Sequence, residues 1–383
     1  MKIFFALCVT TLFLCTVKSH HSWWQSMSLY QIYPRSFMDS DGDGNGDLRG
    51  IINKLDYLAD LKVDAFWLTP IYKSPMVDNG YDASNFTGIN YMFGTMQDFE
   101  NLVKRAHDYS MKVLMDCIPT YSSDQHEWFQ KSVAGVEPYT DYYVWKEGQK
   151  DDGTMQPPNN WRSVFNGSAW TWNDKRQAFY LHQFTPSQPD LNYRNKDLVE
   201  EMKMQKHLLK LFLELLTCGI LRGSRSSRPP SKFRDPERSP MQWNNSTSAG
   251  FSTYIKTWRP VNPNYKTLNL AFAKVSDDSY YNYYKALASL RNMHAVRSGN
   301  LQVKVLENDV LAFSRNKKKK KSVYVLINFS EQNKTVSLME FENTDPELAF
   351  YRASPGLGLT SGSLMNSNEI NIPPTATMVF VDS

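Results

Sequence analysis

LYQIYP at Leu29–Pro34, AFWLTP at Ala65–Pro70 and KVLMDCIP at Lys112–Pro119 decide the fold. Each is a short apolar run closed by a proline, which cannot donate to a sheet ladder and so ends a buried strand. Between the first two, Leu48, Ile51, Ile52, Leu55 and Leu58 recur at helical spacing. Between the second and third, Thr95 stands three residues before Asp98 as a capping box, and Phe99, Leu102, Val103 and Ala106 share one face. Strand, helix, strand, helix, strand at these separations predicts parallel βαβ units of an α/β fold.

Further along, residues 120–195 are aromatic and polar without a helical period. That is too long for a simple connection, so it predicts an inserted domain. Helical spacing resumes over Lys196–Leu216, and RGSRSSRPPSK at Arg222–Lys232 is basic, serine-rich and broken by proline, as linkers are. Ser279–Met293 is again helical, with Tyr280, Tyr283, Tyr284, Leu287 and Leu290 spaced for one buried face. From Leu301 the pattern changes to short alternating runs, LQVKVL, VLAFSR, SVYVLINF, TVSLMEF and ATMVFV, which predict an antiparallel β domain over 300–383. Lys317–Lys321 falls between two of these runs and reads as a solvated hairpin tip.

At 383 residues and 41% hydrophobic content, the chain has room for two or three domains and a sizeable core. Its net charge of +4 owes much to the lysine run, which leaves little basis for nucleic-acid binding. Residues 1–19 read as a secretory signal: Lys2 supplies the positive end, Ile3–Cys15 the apolar stretch, and Val17 with Ser19 the small residues before a cut. No later segment reaches about 18 consecutive apolar residues, so a secreted protein without a membrane anchor is expected. Cys8 and Cys15 leave with the signal. Cys117 and Cys218 then read as buried apolar thiols, with a disulfide between them as the other reading. Sequons begin at Asn85, Asn166, Asn244, Asn245, Asn328 and Asn333, which fits a glycoprotein.

DSDGDGNGD at Asp39–Asp47 sets carboxylates at alternate positions, with glycines that permit a tight turn. Hard cations favour such oxygen-rich loops, and a flexible all-protein cage suits Ca2+ better than Mg2+. An acidic surface turn is the plainer reading.

These stretches also carry a resemblance. WWQSMSLYQIYPRSFMDSDGDGNGDLRGI, FWLTPIYKSPMVDNGYDASNF, FGTMQDFENLV, NNWRSVFNGSAWTWN, FYLHQFTPSQPDLNYRN and RDPERSPMQWNNSTSAGFS resemble the insect maltases, secreted α-glucosidases of glycoside hydrolase family 13. QPDLN at Gln188–Asn192 resembles the signature of the α-glucosidase subgroup. The resemblance implies a (β/α)8 (TIM) barrel with an inserted domain after strand 3 and a C-terminal antiparallel β domain. Here it implies an incomplete barrel: 20–119 its first part, 120–195 the inserted domain, 196–299 its remainder with a junction near 220–233, and 300–383 the β domain.

By the same resemblance, Asp39, Asp41, Asp43 and Asp47 match metal-binding side chains, with the Asn45 carbonyl between them. Tyr81 and Asp82 match the pair that holds a terminal glucose, one by stacking and one through ring hydroxyls. Phe184 and Arg238 match residues near the same pocket. The implied ligands are small sugars: maltose, sucrose and short α-glucans.

Retaining glycosidases use two carboxylates about 5–5.5 Å apart. The family carries its nucleophile in a motif like GFRID after strand 4 and its acid/base after strand 5. Neither motif occurs here; the chain instead reads LLTCGILRGSRSSRPPSK and joins FRDPER. Glu200, Glu201 and Glu214 belong to a helix expected outside the barrel, and Asp235 and Glu237 flank Pro236 in a supporting loop. Thr120-Tyr121 stands where the family has Asn-His. Two functional expectations follow: a maltase-like α-glucosidase whose catalytic pair is absent as written, or a secreted carbohydrate-binding protein without catalysis. A structural or toxin-docking surface protein is a weaker third, lacking any anchor signal.

Overall fold

A computed structural model describes residues 23–151, 153–203 and 238–383. The expected signal, the 222–232 linker, Cys218, Glu214, Asp235 and Glu237 lie outside the described residues.

The three apolar runs form one parallel sheet, β1 (Leu29–Ile32), β2 (Ala65–Leu68) and β3 (Lys112–Met115), in that order. Leu29 stands beside Ala65, and Ala65 beside Lys112, so the three strands run in register. α1 (Leu48–Ile52), α2 (Leu55–Asp60) and α3 (Met96–Asp108) supply the crossovers. Leu48, Ile51, Leu55, Leu58 and Leu102 are fully buried with Phe66 and Leu68 of β2, the two-sided burial that parallel strands need. The single helix expected over Leu48–Leu58 is two, because the backbone leaves helical geometry at Lys54 (φ −122°, ψ 13°). α3 opens on the capping box: Asp98 N donates to Thr95 Oγ1 at 3.2 Å, and Thr95 N to Asp98 Oδ2 at 2.8 Å.

The inserted region builds a small antiparallel sheet from β4 (Trp145–Lys146), β5 (Trp170–Asn173) and β6 (Ala178–Leu181), with β6 in the middle. It also contains a helix the pattern did not reveal, α4 (Glu127–Val133). Seven residues are too few to display a period, and aromatic packing fixes the helix instead. Phe129 lies edge-on to Tyr143 and Tyr180 and stacks on Trp145 at 5.6 Å. His126 caps it, its Nδ1 accepting from Trp128 N at 3.1 Å. Burial drives the His126 pKa down to about 4.

The chain after residue 238 returns to the loop that follows β1. Met241 N donates to Ser36 O at 2.8 Å, Trp243 Nε1 to Phe37 O at 2.8 Å, and Asp39 N to Phe251 O at 3.0 Å. α5 (Leu270–Val275), α6 (Tyr280–Leu290) and α7 (His294–Ser298) follow. The inward face of α6 differs from expectation: Tyr280 and Tyr284 are exposed, while Tyr281, Ala288 and Leu290 are buried. Tyr281 turns inward because its ring stacks on Tyr57 and its hydroxyl donates to Asp60.

The C-terminal domain is a six-stranded antiparallel sheet of β7 (Asn300–Leu306), β8 (Val310–Lys317), β9 (Lys320–Asn328), β10 (Glu347–Ala353), β11 (Leu364–Asn366) and β12 (Thr377–Asp382), in the order β7-β8-β9-β12-β10-β11. Tyr324, Leu326, Phe350 and Phe380 fill its core. The lysine run turns at Lys318–Lys319 between β8 and β9 and is exposed, as expected. TVSLMEF does not join the main sheet. Lys334–Val336 pairs with Ile370–Ile372, and Leu338–Glu340 is a 3-10 turn.

Two further expectations are corrected. Cys117 is exposed rather than buried, because it lies beyond the end of β3. Asn328 is 1% exposed; its Nδ2 donates to three carbonyls, and its Oδ1 accepts from Ser330, so that sequon has no free amide for a glycan. Asn85, Asn166, Asn245 and Asn333 are exposed, and Asn244 is partly so.

Candidate functional site

Three segments far apart in sequence run side by side beyond the C-terminal ends of β2 and β3. Ser123 N donates to Ala83 O at 2.8 Å, which joins the Thr120–Asp124 segment to the loop carrying Tyr81 and Asp82. On the other side Asp124 N donates to Ser187 O at 3.0 Å and Leu191 N to Thr120 O at 2.9 Å, bringing in Gln188–Leu191. Tyr121 and Asp190 form an isolated antiparallel bridge within this shelf.

Tyr81 is half-buried, and its hydroxyl hydrogen-bonds Asp116 at the end of β3. Asp116 Oδ1 also accepts from Trp67 Nε1 at 2.9 Å. Its Oδ2 is buried without a well-directed donor, and burial holds the carboxyl above the usual carboxylate range. Tyr121, which stands where a histidine was expected by resemblance, is 7% exposed, with its ring 5.2 Å from Phe184. Phe184 in turn lies 6.1 Å from Phe165. Tyr81, Tyr121 and Phe184 thus belong to one aromatic cluster, with Asp116 beside Tyr81.

Asp82 is fully buried and faces its own loop. Its Oδ1 accepts from Ser74 Oγ at 2.9 Å and Asp78 N at 3.0 Å, and its Oδ2 from Val77 N at 2.9 Å. In this arrangement it shapes the Ser74–Asp82 turn. Arg238 lies with its guanidinium 5.6 Å over the Tyr33 ring, and the Tyr33 hydroxyl donates to Asn79 Oδ1 at 3.4 Å. Arg238 therefore borders the Tyr81 loop through Tyr33. Glu200 is exposed on the helix at 196–203 and pairs with Lys203 at 2.7 Å.

Sequence reasoning gave no role to Asp78, Gln188 or Asp190. Gln188 is fully buried, and its Nε2 donates to Asp78 Oδ2 at 3.0 Å. Asp190 is 3% exposed; Oδ2 accepts from Gln183 N at 2.8 Å while Oδ1 has no partner, and burial pushes its pKa up to about 6. The QPDLN motif held both residues, but their partners lie in other segments.

The acidic loop lies between β1 and α1. Asp39, Asp41 and Asp43 bring carboxylate oxygens within 4.8 Å of one another. Asp39 is organised from within: Gly42 N donates to Oδ1 at 2.7 Å and Gly44 N to Oδ2 at 2.8 Å. Gly44 has φ +94°, and a Cβ there would meet Lys256 O at 2.5 Å, so the turn requires glycine. Asp41 has a raised pKa, first from burial and then from the neighbouring carboxylates. Asp47 stands outside the group of three. It caps α1, accepting from Gly50 N at 2.7 Å and from Ser40 N at 2.6 Å. The Asn45 side chain accepts from Arg35 Nε at 2.8 Å.

Residues 31–214 and 223–299 match the alpha amylase catalytic domain. The chain belongs to the alpha-amylase family. Within it, the alpha-glucosidase of Apis mellifera is 31% identical over 503 aligned residues, covering 85% of this chain and 89% of the relative. The salivary alpha-glucosidase of Anopheles gambiae is 56% identical over 188 residues, covering 49% of this chain and 32% of the relative. The isomaltulose synthase of Klebsiella sp. LX3 superposes with a TM-score of 0.81 at 24% identity, across 94% of this chain and 100% of that one, a likeness of fold.

The fold is therefore an incomplete alpha-amylase-family TIM barrel with a C-terminal β domain, in a chain shorter than its relatives. The 503 aligned positions outnumber the 383 residues, so the alignment spans stretches of the Apis protein that have no counterpart here. The family match itself breaks at 215–222, beside the basic, proline-broken stretch. Among the described residues no helix is long and apolar enough to cross a membrane.

Proposed function

We propose that this alpha-amylase-family chain holds the terminal glucose unit of maltose-type sugars and does not hydrolyse them. The observation that carries the reading is the aromatic cluster of Tyr81, Tyr121 and Phe184 beside Asp116. A sugar ring offers an apolar face to stack on the tyrosines and hydroxyls to donate to a carboxylate. Each such hydrogen bond to a charged group contributes about 1.5–3 kcal/mol. In the resemblance the nucleophile and the acid/base belong to strands 4 and 5, whose motifs the sequence lacks. Asp116 alone offers one carboxylate where the retaining reaction uses two.

The competing reading, an active α-glucosidase, is favoured by the likeness to the Apis mellifera alpha-glucosidase, 89% of which the match covers. Purified full-length chain separates the two. We expect saturable maltose binding, followed by tryptophan fluorescence, with no release of nitrophenol from a nitrophenyl α-glucoside. Hydrolysis abolished by Asp116→Asn would overturn the proposal.

We further propose secretion, for which the salivary relative and residues 1–19 speak, with glycans at exposed sequons such as Asn85 and Asn166. The carboxylates of Asp39, Asp41 and Asp43 suit a hard cation, and we propose Ca2+ as a structural ion there. Its contribution would be to neutralise three adjacent carboxylates in a loop that supports the residues returning after 238.

A further inference from the structure

Gln188 and Asp78 are separated by 110 residues and joined by one hydrogen bond of 3.0 Å. Every polar atom of Gln188 is committed. Nε2 donates to Asp78, and Oε1 accepts from Thr185 N at 3.2 Å and Thr185 Oγ1 at 3.0 Å. With no exposed surface, the side chain has no water to replace these partners.

Asp78 is the hinge of the sugar loop. Its backbone N donates to Asp82 Oδ1 at 3.0 Å, and its carbonyl accepts from Tyr81 N at 3.1 Å. A shift of Asp78 therefore moves the Tyr81 ring and loosens the Asp82 carboxylate together. Tyr121 and Phe184, the opposite wall, belong to segments on either side of Gln188 in the shelf.

We propose that Gln188 is a positioning residue that latches the inserted domain to the Tyr81 loop and sets the spacing of Tyr81 from Tyr121 and Phe184 for a single hexose ring. The inference rests on the sugar-binding reading above. The chemistry requires an amide at 188. A glutamate would set two carboxylates against each other, and an apolar residue would leave Asp78 without this donor. Neither substitution touches the sugar directly.

The test uses the full chain and maltose, with Gln188→Glu, Gln188→Ala and the double variant Asp78→Asn/Gln188→Glu. At pH 7.5, Gln188→Glu is expected to weaken maltose binding about tenfold or more. The loss shrinks below about pH 5 as the glutamate protonates, whereas that of Gln188→Ala does not vary with pH. The double variant exchanges donor and acceptor, and recovers affinity to within about threefold of wild type.

Wild-type affinity in Gln188→Glu, or no recovery in the double variant, overturns the latch. Hydrogen exchange at residues 77–82 gives a second readout: faster in Gln188→Glu, restored in the double variant. If wild type binds no maltose while exchange follows this pattern, the sugar-binding reading fails and the latch itself stands. If exchange does not respond, the latch fails whatever the sugar result.

Discussion

The parallel sheet at the start of the chain and the antiparallel sheet at its end are built on opposite economies of connection. β7, β8 and β9 follow one another through tight turns, so each strand finds a partner within a few residues. β1, β2 and β3 each wait for a helix, and among the described residues β1 and β3 each pair only with β2. Antiparallel order is local and survives an interruption elsewhere. Parallel order depends on strands contributed by distant segments, so it suffers most from one. The 238–258 segment returns to the β1 loop through Trp243 and Phe251, which ties the residues after the break to those before it.

The largest test of this contrast is a core deletion in each sheet. Phe380→Ala in β12 and Phe66→Ala in β2 each remove a fully buried ring, with an expected cost of about 3–5 kcal/mol. In denaturant melts followed by hydrogen exchange, Phe380→Ala should lower protection in β7–β12, and Phe66→Ala in β1–β3 and the inserted domain. Uniform loss in both would show one cooperative unit and erase the contrast.

Next in size is the acid response of the inserted domain. His126 has a folded pKa of about 4 against an unfolded 6.5, so its contribution is present above pH 6.5 and is lost as pH falls through 4. We expect wild type to lose up to about 3 kcal/mol from this group between pH 7 and pH 4. His126→Asn, which keeps a capping side chain, should flatten that part of the stability profile. An unchanged profile would remove His126 from the account.

Asp190 works in the other direction. Its folded pKa of about 6 lies above the unfolded 3.8, so its contribution is full below 3.8 and is lost as pH rises through 6. Asp190→Asn should therefore stabilise the protein by about 2 kcal/mol at pH 7.5, a gain that vanishes near pH 4. A gain independent of pH would contradict the burial argument. The smallest effect is expected at the α3 cap: Thr95→Ala should cost about 1 kcal/mol in a thermal melt, with Asp98 still held by Arg49 at 2.6 Å.

Legibility followed the range of the interactions. The three strands, the Thr95–Asp98 cap and the lysine hairpin could be read because each is governed by neighbours in sequence. The inward face of α6 could not, since Tyr281 is chosen over Tyr280 by Tyr57 and Asp60, more than two hundred residues earlier. Asn328 and Asp47 satisfied their sequence patterns, yet a buried amide network and a helix cap had already engaged them. The Gln188–Asp78 bond was not legible either, because only folding brings those loops together.

By itself the sequence determined the βαβ start, the inserted region, the antiparallel end and the family, because hydrophobic period, caps and motifs are local signals. Only the tertiary structure decided which carboxylates are spent on backbone and which keep unpaired oxygens. Asp82 and Asp47 hold turns, Asp39, Asp41 and Asp43 gather, and Asp116 and Asp190 are left with partly unpaired oxygens. A carboxylate's role is set by what else reaches it, and that is a property of three-dimensional packing rather than of chain order.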